Sequence, residues 1–310
     1  MEEVSYNLYT SAPFEVVRSQ DRRSRLMSLL GNGHSDLNLL FSDSDSEFEA
    51  ALEEMEKLQS EGKLYRRWRQ VVDGKERALS TPSPPLNRFM NTFVVPIIRR
   101  MPVHPSCHGG EKNWSAQSSV RTHLPCTTVL SFDLRSAFPL CNFERVFDLF
   151  HKLLGESHEE DRKDFAGFFA SLATVPYPEH QRRGLSQGSS YSMPLFNRIF
   201  RPLDESLYRE AQQRACKYTR WVDDITISSP DSLSPEALIG AVAHAQDYAQ
   251  VSPTKVFHQQ APNTIYVIGQ VIEDGRVFKN SRKEVQERKS PHLNWEEWFG
   301  NSPKRDYQKW

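Results

Sequence analysis

The chain has 310 residues, with 38% hydrophobic and 25% charged, which allows two domains or one large domain built from subdomains. No apolar run approaches the ~18 residues of a membrane helix, and the opening Met1-Glu2-Glu3-Val4 lacks the basic-then-apolar order of a signal peptide. The formal net charge is −1, but it is divided: residues 1–62 hold five basic and thirteen acidic residues, a net of −8, and residues 63–310 carry +7.

An acidic head on a basic body points to nucleic-acid contact, with a solvated surface as the bland alternative. The strongest local excess lies in residues 63–100, with nine basic against two acidic residues. The four cysteines, Cys107, Cys126, Cys141 and Cys216, show no C-x-x-C spacing. They read as free thiols of a reducing, cytoplasmic setting, and no membrane partner is expected.

Residues 1–46 have mixed composition and end in Ser42-Asp43-Ser44-Asp45-Ser46, which reads as a partly mobile N-terminal extension closing in a solvated linker rather than a phosphorylation switch. Phe48, Leu52, Met55 and Leu58 then recur at helical spacing, an amphipathic helix packed on the body. Tyr65–Val72 and Arg77–Leu79 flank Asp73-Gly74, a basic β-hairpin. A helix is expected from about Asn87 to Arg100 after the Pro82–Pro85 break.

The centre alternates strands and helices. Thr127–Asp133 is a β-rich run. Asn142 is a plausible N-cap for a helix carrying Phe143, Val146, Phe147, Phe150 and Leu154 on one face. Further helices are expected near Asp164–Ala173, across Leu195, Ile199, Leu203 and Leu207, and over Pro235–Gln250. Tyr218–Ser229 is strand-like on both sides of Asp223-Asp224, and Thr264–Ile272 with Arg276–Phe278 reads as a closing hairpin. Interleaving of this kind gives an α+β domain with an antiparallel or mixed sheet.

Two adjacent acids interrupt the apolar run Arg220–Ile227, and Asp133 ends the apolar run Leu130–Asp133. A buried carboxylate without a partner is costly, so such residues ligate a cation or occupy an exposed turn. If the two strands are neighbours, Asp133 and Asp223 converge at one edge. Three hard-oxygen donors there suit Mg²⁺, with Mn²⁺ a second option. Two such ions could activate a 3′-hydroxyl and stabilise a leaving pyrophosphate.

These segments resemble the motifs of bacterial reverse transcriptases, closest to the retron-type and defence-associated branch. Leu130–Pro139 is similar to the first catalytic motif, FD-x-x-x-A-F. Leu185–Ser192 with Asn197 resembles the L-P-Q-G-x-x-x-S…N motif, and Tyr218–Asp224 the Y-x-D-D motif with its lead-in. Pro253-Thr254-Lys255 resembles the N-x-x-K-T segment, Ile268–Ile272 the primer-grip strand, and Pro102–Gly109 the H-P-x-x-H-G element.

The resemblance implies a right-hand polymerase: an extension (1–46), fingers (47–125), a ferredoxin-like palm (126–280) and a reduced thumb or tail (281–310). It implies catalytic and metal-ligating roles for Asp133 and Asp223, with Asp224 supporting, and a proton-donor role for Lys255. Arg77, with Arg69 or Lys75, would hold phosphates. The backbone of Ser136 and Ala137 would meet the triphosphate, Phe138 would gate the sugar, and Gln187 and Gly188 would line the new base pair. The implied partners are an RNA template or noncoding RNA, DNA product, dNTPs, and a second polymerase or effector protein, in antiphage defence.

The sequence departs from the motifs at Val71, Ser186, Met193 and Trp221, and at Gly110 in the His108-Gly109-Gly110 segment. About 25 residues follow Lys283, short for a helical thumb that grips duplex. Two other readings therefore stay open. One is template-independent or restricted-template DNA synthesis, protein-primed in one version. The other is a non-catalytic nucleic-acid-binding scaffold. His104, Cys107 and His108 are read as a structural turn rather than a zinc site. Trp295, Trp298 and Trp310 are read as packing residues rather than base-stacking platforms.

Overall fold

The computed structural model describes residues 22–30, 45–72, 75–155 and 159–279. The strands among them are β1 (Tyr65–Val72), β2 (Lys75–Pro82), β3 (Thr128–Leu134), β4 (Thr174–Tyr177), β5 (Arg182–Leu185), β6 (Lys217–Trp221), β7 (Asp224–Ser229), β8 (Val251–Gln260), β9 (Ile265–Val267), β10 (Gln270–Glu273) and β11 (Arg276–Lys279). They and their helices fall into two units. One takes the described residues up to Pro102 with Phe138–Ile199; the other takes Val103–Ala137 with the described residues from Phe200.

The first unit is built on aromatic packing. The helix Asp45–Ser60 buries Phe48, Leu52 and Met55 on one face, as their spacing predicts. Phe48 meets Phe89 at 6.2 Å and Phe93 at 5.1 Å between ring centroids. Phe168 extends the cluster to Phe169, which meets Phe150 at 5.3 Å. Within the segment read as an extension, Arg22–Leu30 is a helix that buries Leu26, Leu29 and Leu30. Arg22 pairs with Glu49 and Glu56, and Arg25 with Asp161.

Several element bounds differ from the sequence expectation, each for a local reason. The helix expected from Asn87 begins at Pro84, where Pro84 and Pro85 suit a first turn and the Ser83 hydroxyl accepts from Leu86 N; one π-type turn, Met90–Val94, interrupts it. The helix expected from Asp164 begins at Glu159, with three acids in its first turn. The helix expected across Leu195–Leu207 is two, Ser192–Ile199 and Arg201–Gln213, the second opening on Pro202. Asn142 caps Phe143–Leu153 as expected, accepting from Arg145 N. A short hairpin, β4–β5, escaped the sequence reading. The basic hairpin β1–β2 forms with Tyr65 opposite Pro82, while its Asp73-Gly74 turn lies outside the described residues.

The second unit is organised by a four-stranded antiparallel sheet of order β6-β7-β3-β8. In chain order this is strand, crossover, two hairpin strands, crossover, strand: the ferredoxin-like arrangement. The long strand β8 also escaped the sequence reading. Leu130, Phe132, Ile225 and Ile227 are buried on one face. The helices Arg201–Gln213 and Pro235–Tyr248 pack on the sheet and on each other. A small sheet, β11-β10-β9, encloses Val120, Val129, Ile265, Val267, Ile272 and Val277. The expected single strand Thr264–Ile272 is broken into β9 and β10 because Ile268 (φ 49°) and Gly269 (φ 67°) form a tight turn.

No described helix is long and apolar enough to cross a membrane. Residues 281–310, expected as a reduced thumb and carrying Trp295, Trp298 and Trp310, lie outside the described residues.

Candidate active site

Asp133, Asp223, Asp224, Lys255, Ser136 and Ala137 all belong to the sheet unit. Asp133 is the penultimate residue of β3 and stands opposite Asp224, the first residue of β7. Paired residues of an antiparallel ladder share a face. Asp223 sits between β6 and β7, and its carbonyl accepts from Leu134 N at 3.0 Å, tying the turn to β3. Asp133 is buried, whereas Asp223 and Asp224 are half-buried.

On the other side of β3 the ladder slips. Phe132 faces Val256, but Leu134 faces Val251, so β8 bulges opposite Asp133. That bulge delivers Lys255, whose Nζ forms an ion pair with Asp133 Oδ2. Among the described residues no three His, Cys, Asp or Glu side chains are gathered into a metal-ligand set. The strands β3 and β7 are neighbours, as the expectation required, but the register sets Asp133 opposite Asp224 rather than Asp223, and the cation paired with Asp133 is Lys255. The donor type still suits Mg²⁺ or Mn²⁺, which take carboxylate oxygens: Asp133 and Asp224 stand at paired positions, and Asp223 lies in the adjoining turn.

The β6–β7 turn is tight. Trp221 pairs with Asp224, leaving Val222-Asp223 as a two-residue loop with Val222 at φ 60°. Two-residue hairpins favour Gly or Asn at such positions, and a β-branched residue there stores about 1–3 kcal/mol. Ser136, just beyond β3, is likewise left-handed at φ 52°.

The Ser106–Gly109 loop braces this turn. Arg220 N donates to Ser106 O (2.9 Å), and His108 N and Gly109 N both donate to Arg220 O (2.9 and 3.3 Å). Gly109 lies so close that a Cβ on it would stand 2.3 Å from Val222 N, which only glycine can accommodate. The residues weighed as zinc ligands go to three different partners. Cys107 Sγ accepts from Arg220 Nη2, His108 Nδ1 meets the Ser119 hydroxyl, and His104 Nδ1 accepts from Ser106 N.

His108 of this loop and the neighbouring His123 are buried and neutral. Burial pushes His108 down to about 4, against an opposing backbone hydrogen bond at Pro105. It pushes His123 down to about 3. His123 bridges Ser228 on β7 and Thr219 on β6 at 2.7 and 2.8 Å.

Arg220 and its partners were not singled out in the sequence reading. Its guanidinium is fully buried, donating to Asp204 Oδ1 (2.7 Å), Asp204 Oδ2 (2.8 Å) and Val222 O (2.8 Å). Burial opposes its charge, but Asp204 outweighs burial and holds it protonated above its ordinary range. The available signal was an Arg inside an apolar strand and an Asp on the apolar face of Leu203 and Leu207.

The other expected residues belong to the first unit. Gln187 O accepts from Ser80 N at 3.2 Å, and Gly188, at φ 113°, lies beside Ser80 O. Ser186, the departure from the expected proline, is bonded through its hydroxyl to Ser189 and Ser192, and the Ser192 hydroxyl donates back to Ser186 O at 2.7 Å. This hydroxyl network constrains the Gln187-Gly188 loop in place of a proline ring. Phe138 is half-buried, its ring 5.0 Å from that of Phe196. Arg69 is exposed on β1, as are Arg66 and Arg67; Lys75 and Arg77 lie on β2 by backbone.

No family model matches the chain. Curated retron reverse transcriptases do: that of retron Mx162 from Myxococcus xanthus is 27% identical over 176 residues, covering 53% of this chain and 35% of the relative. That of retron Ec86 from Escherichia coli is 27% identical over 168 residues, covering 53% and 49%. The chain therefore matches less than half the length of these relatives. Among solved structures, apo telomerase from Candida tropicalis aligns with TM-score 0.48 and 13% identity over 69% of this chain and 54% of its own. Candida albicans telomerase aligns at 0.46 and 10%, over 70% and 46%. Over about half its length, this chain is similar in sequence to curated retron reverse transcriptases.

Proposed function

We propose that the chain catalyses RNA-directed DNA synthesis. The observation that carries this reading is Asp133 directly across from Asp224, with Asp223 in the adjoining turn, at one edge of a ferredoxin-like sheet. In this reading the four-stranded sheet is the palm, the β1–β2 hairpin belongs to the fingers, and residues 281–310 form a short thumb or tail.

Asp133, Asp223 and Asp224 would hold Mg²⁺ or Mn²⁺. Bound there, the ion supplies Lewis-acid stabilisation of charge on phosphate oxygens and favours the nucleophilic form of a hydroxyl. The residues of the chain do the rest. Lys255 neutralises Asp133 and carries a proton at Nζ that a leaving pyrophosphate can accept. The left-handed Ser136 turns the backbone after β3, where amides of Ser136 and Ala137 can meet a triphosphate. The exposed Arg66, Arg67 and Arg69 suit a phosphate backbone, here that of an RNA template or noncoding RNA.

The proposed setting is antiphage defence in the cytoplasm. It draws on the motif resemblance and the retron relatives rather than on geometry. The decisive experiment supplies purified protein with Mg²⁺, a primed RNA template and one labelled dNTP at a time. Extension that follows the template sequence supports the proposal. Extension that ignores it turns the reading to template-independent synthesis, and none at all turns it to a scaffold.

A further inference from the structure

Arg220 precedes the acidic turn by two residues, yet its side chain is more deeply buried than either acid. Four of its contacts are defined. Nε and Nη2 grip the two oxygens of Asp204 at 2.7 and 2.8 Å, Nη1 donates to Val222 O at 2.8 Å, and Nη2 reaches Cys107 Sγ at 3.2 Å. The Tyr218 hydroxyl donates to Asp204 Oδ1 at 2.6 Å and fixes the acceptor, and the Phe200 ring lies 5.6 Å from Arg220 Cζ.

A fully buried ion pair is an uneconomical way to stabilise a fold, since well-packed apolar residues often do as well or better. What apolar residues cannot do is donate to Val222 O. Val222 occupies a left-handed conformation that a β-branched residue avoids unless its surroundings impose it. The planar fork of arginine can bind a carboxylate on one side and a carbonyl on the other at fixed angles; a lysine ammonium cannot. Asp204, in turn, belongs to the helix Arg201–Gln213, a rigid support.

We propose that Arg220 is a positioning residue: it suspends the Val222-Asp223 turn from Asp204, and so sets where the Asp223 carboxylate stands. Its effect on nucleotide incorporation rests on the polymerase reading above, but its effect on the turn does not.

The test separates positioning from folding. Arg220→Met alone leaves Asp204 buried and unpaired, and should lower the melting temperature. The double variant Arg220→Met, Asp204→Leu removes both charges and should recover most of it. Positioning predicts that the recovered protein still exchanges the amides of Trp221–Asp224 at least tenfold faster than wild type. It also predicts kcat for incorporation at least tenfold lower, with KM for dNTP little changed. Wild-type exchange at that turn in the recovered double variant overturns the inference, whatever the activity. Because exchange needs no turnover, an inactive wild-type protein would count against the polymerase reading and not against this one. Should the double variant fail to fold, Arg220→Lys, which keeps a cation for Asp204 but loses the fork, is measured in the same way.

Discussion

Asp133 and Asp224 face each other across β3 and β7, and Lys255 reaches Asp133 from the far side of β3. A cation and two carboxylates thus share one sheet edge. Like charges at facing positions destabilise a sheet, and the Lys255 ammonium offsets part of that repulsion.

If these carboxylates hold the catalytic cation, Asp133→Asn or Asp223→Asn should lower incorporation by about a thousandfold, equivalent to about 4 kcal/mol of barrier. Both substitutions preserve volume. Lys255 is 44% exposed, so losing its partner at Asp133 should cost little stability. Primer extension and thermal melting on the same samples check this. A well-folded Asp133→Asn, Asp223→Asn double variant with near-normal extension would sink the polymerase proposal.

Acid should destabilise the sheet unit before ordinary carboxylates titrate. His108 and His123 stay neutral in the fold, with values of about 4 and about 3, whereas the unfolded chain takes up protons near 6.5. Their contribution to stability is therefore fully present above pH 6.5 and is lost as the pH falls toward those lower values. At pH 5 each accounts for a loss of about 2 kcal/mol. His123→Gln, which keeps a donor and an acceptor for Ser228 and Thr219, should remove about half of the acid sensitivity. A melting temperature that is flat from pH 7 to pH 5 would show that the two imidazoles do not control it.

Nucleic-acid affinity should fall steeply with salt. Replacing Arg66, Arg67 and Arg69 together by Gln should reduce the slope of log K against log salt by about two to three, one unit for each lost phosphate contact. Arg67 also donates to Pro176 O at 2.6 Å, so its loss alone is the control for hairpin stability. Unchanged slopes would mean that the basic hairpin is a solvated surface.

The sheet and its acids were legible because their signals are local. Apolar runs ending in Asp133 and in Asp223-Asp224 mark β-strands with polar ends, and the β6–β7 turn follows from two strands in one short segment. Strand β8 was not legible as a strand. Its pairing with β3 shifts at Asp133, and Pro253 and Thr254 fall within it. Nor was the Arg220–Asp204 pair legible as a unit, because it joins residues sixteen apart through tertiary packing alone. The serine network of the Gln187 loop is a case between the two. The missing proline at Ser186 was visible, but its replacement by hydroxyl bonding to Ser189 and Ser192 required side-chain positions.

Sugar choice gives the sharpest remaining test. Phe138 follows Asp133 by five residues, at the position where the family motif carries an aromatic ring. Its ring leans on Phe196 at 31° between planes and stays half-buried. If this ring is the sugar gate that the motif implies, its packing on Phe196 would hold it in place. A 2′-hydroxyl pressed against it would lose water and gain no hydrogen bond, at a cost of about 1–3 kcal/mol. That corresponds to discrimination against ribonucleotides of about ten- to two-hundredfold. Phe138→Ala should therefore raise ribonucleotide incorporation by that factor while deoxynucleotide incorporation continues. Losing the contact with Phe196 also costs stability, about 1 kcal/mol for an aromatic pair beyond its area. Melting of the variant is accordingly measured beside its kinetics. If a folded Phe138→Ala protein still rejects ribonucleotides as wild type does, the ring packs on Phe196 and gates nothing.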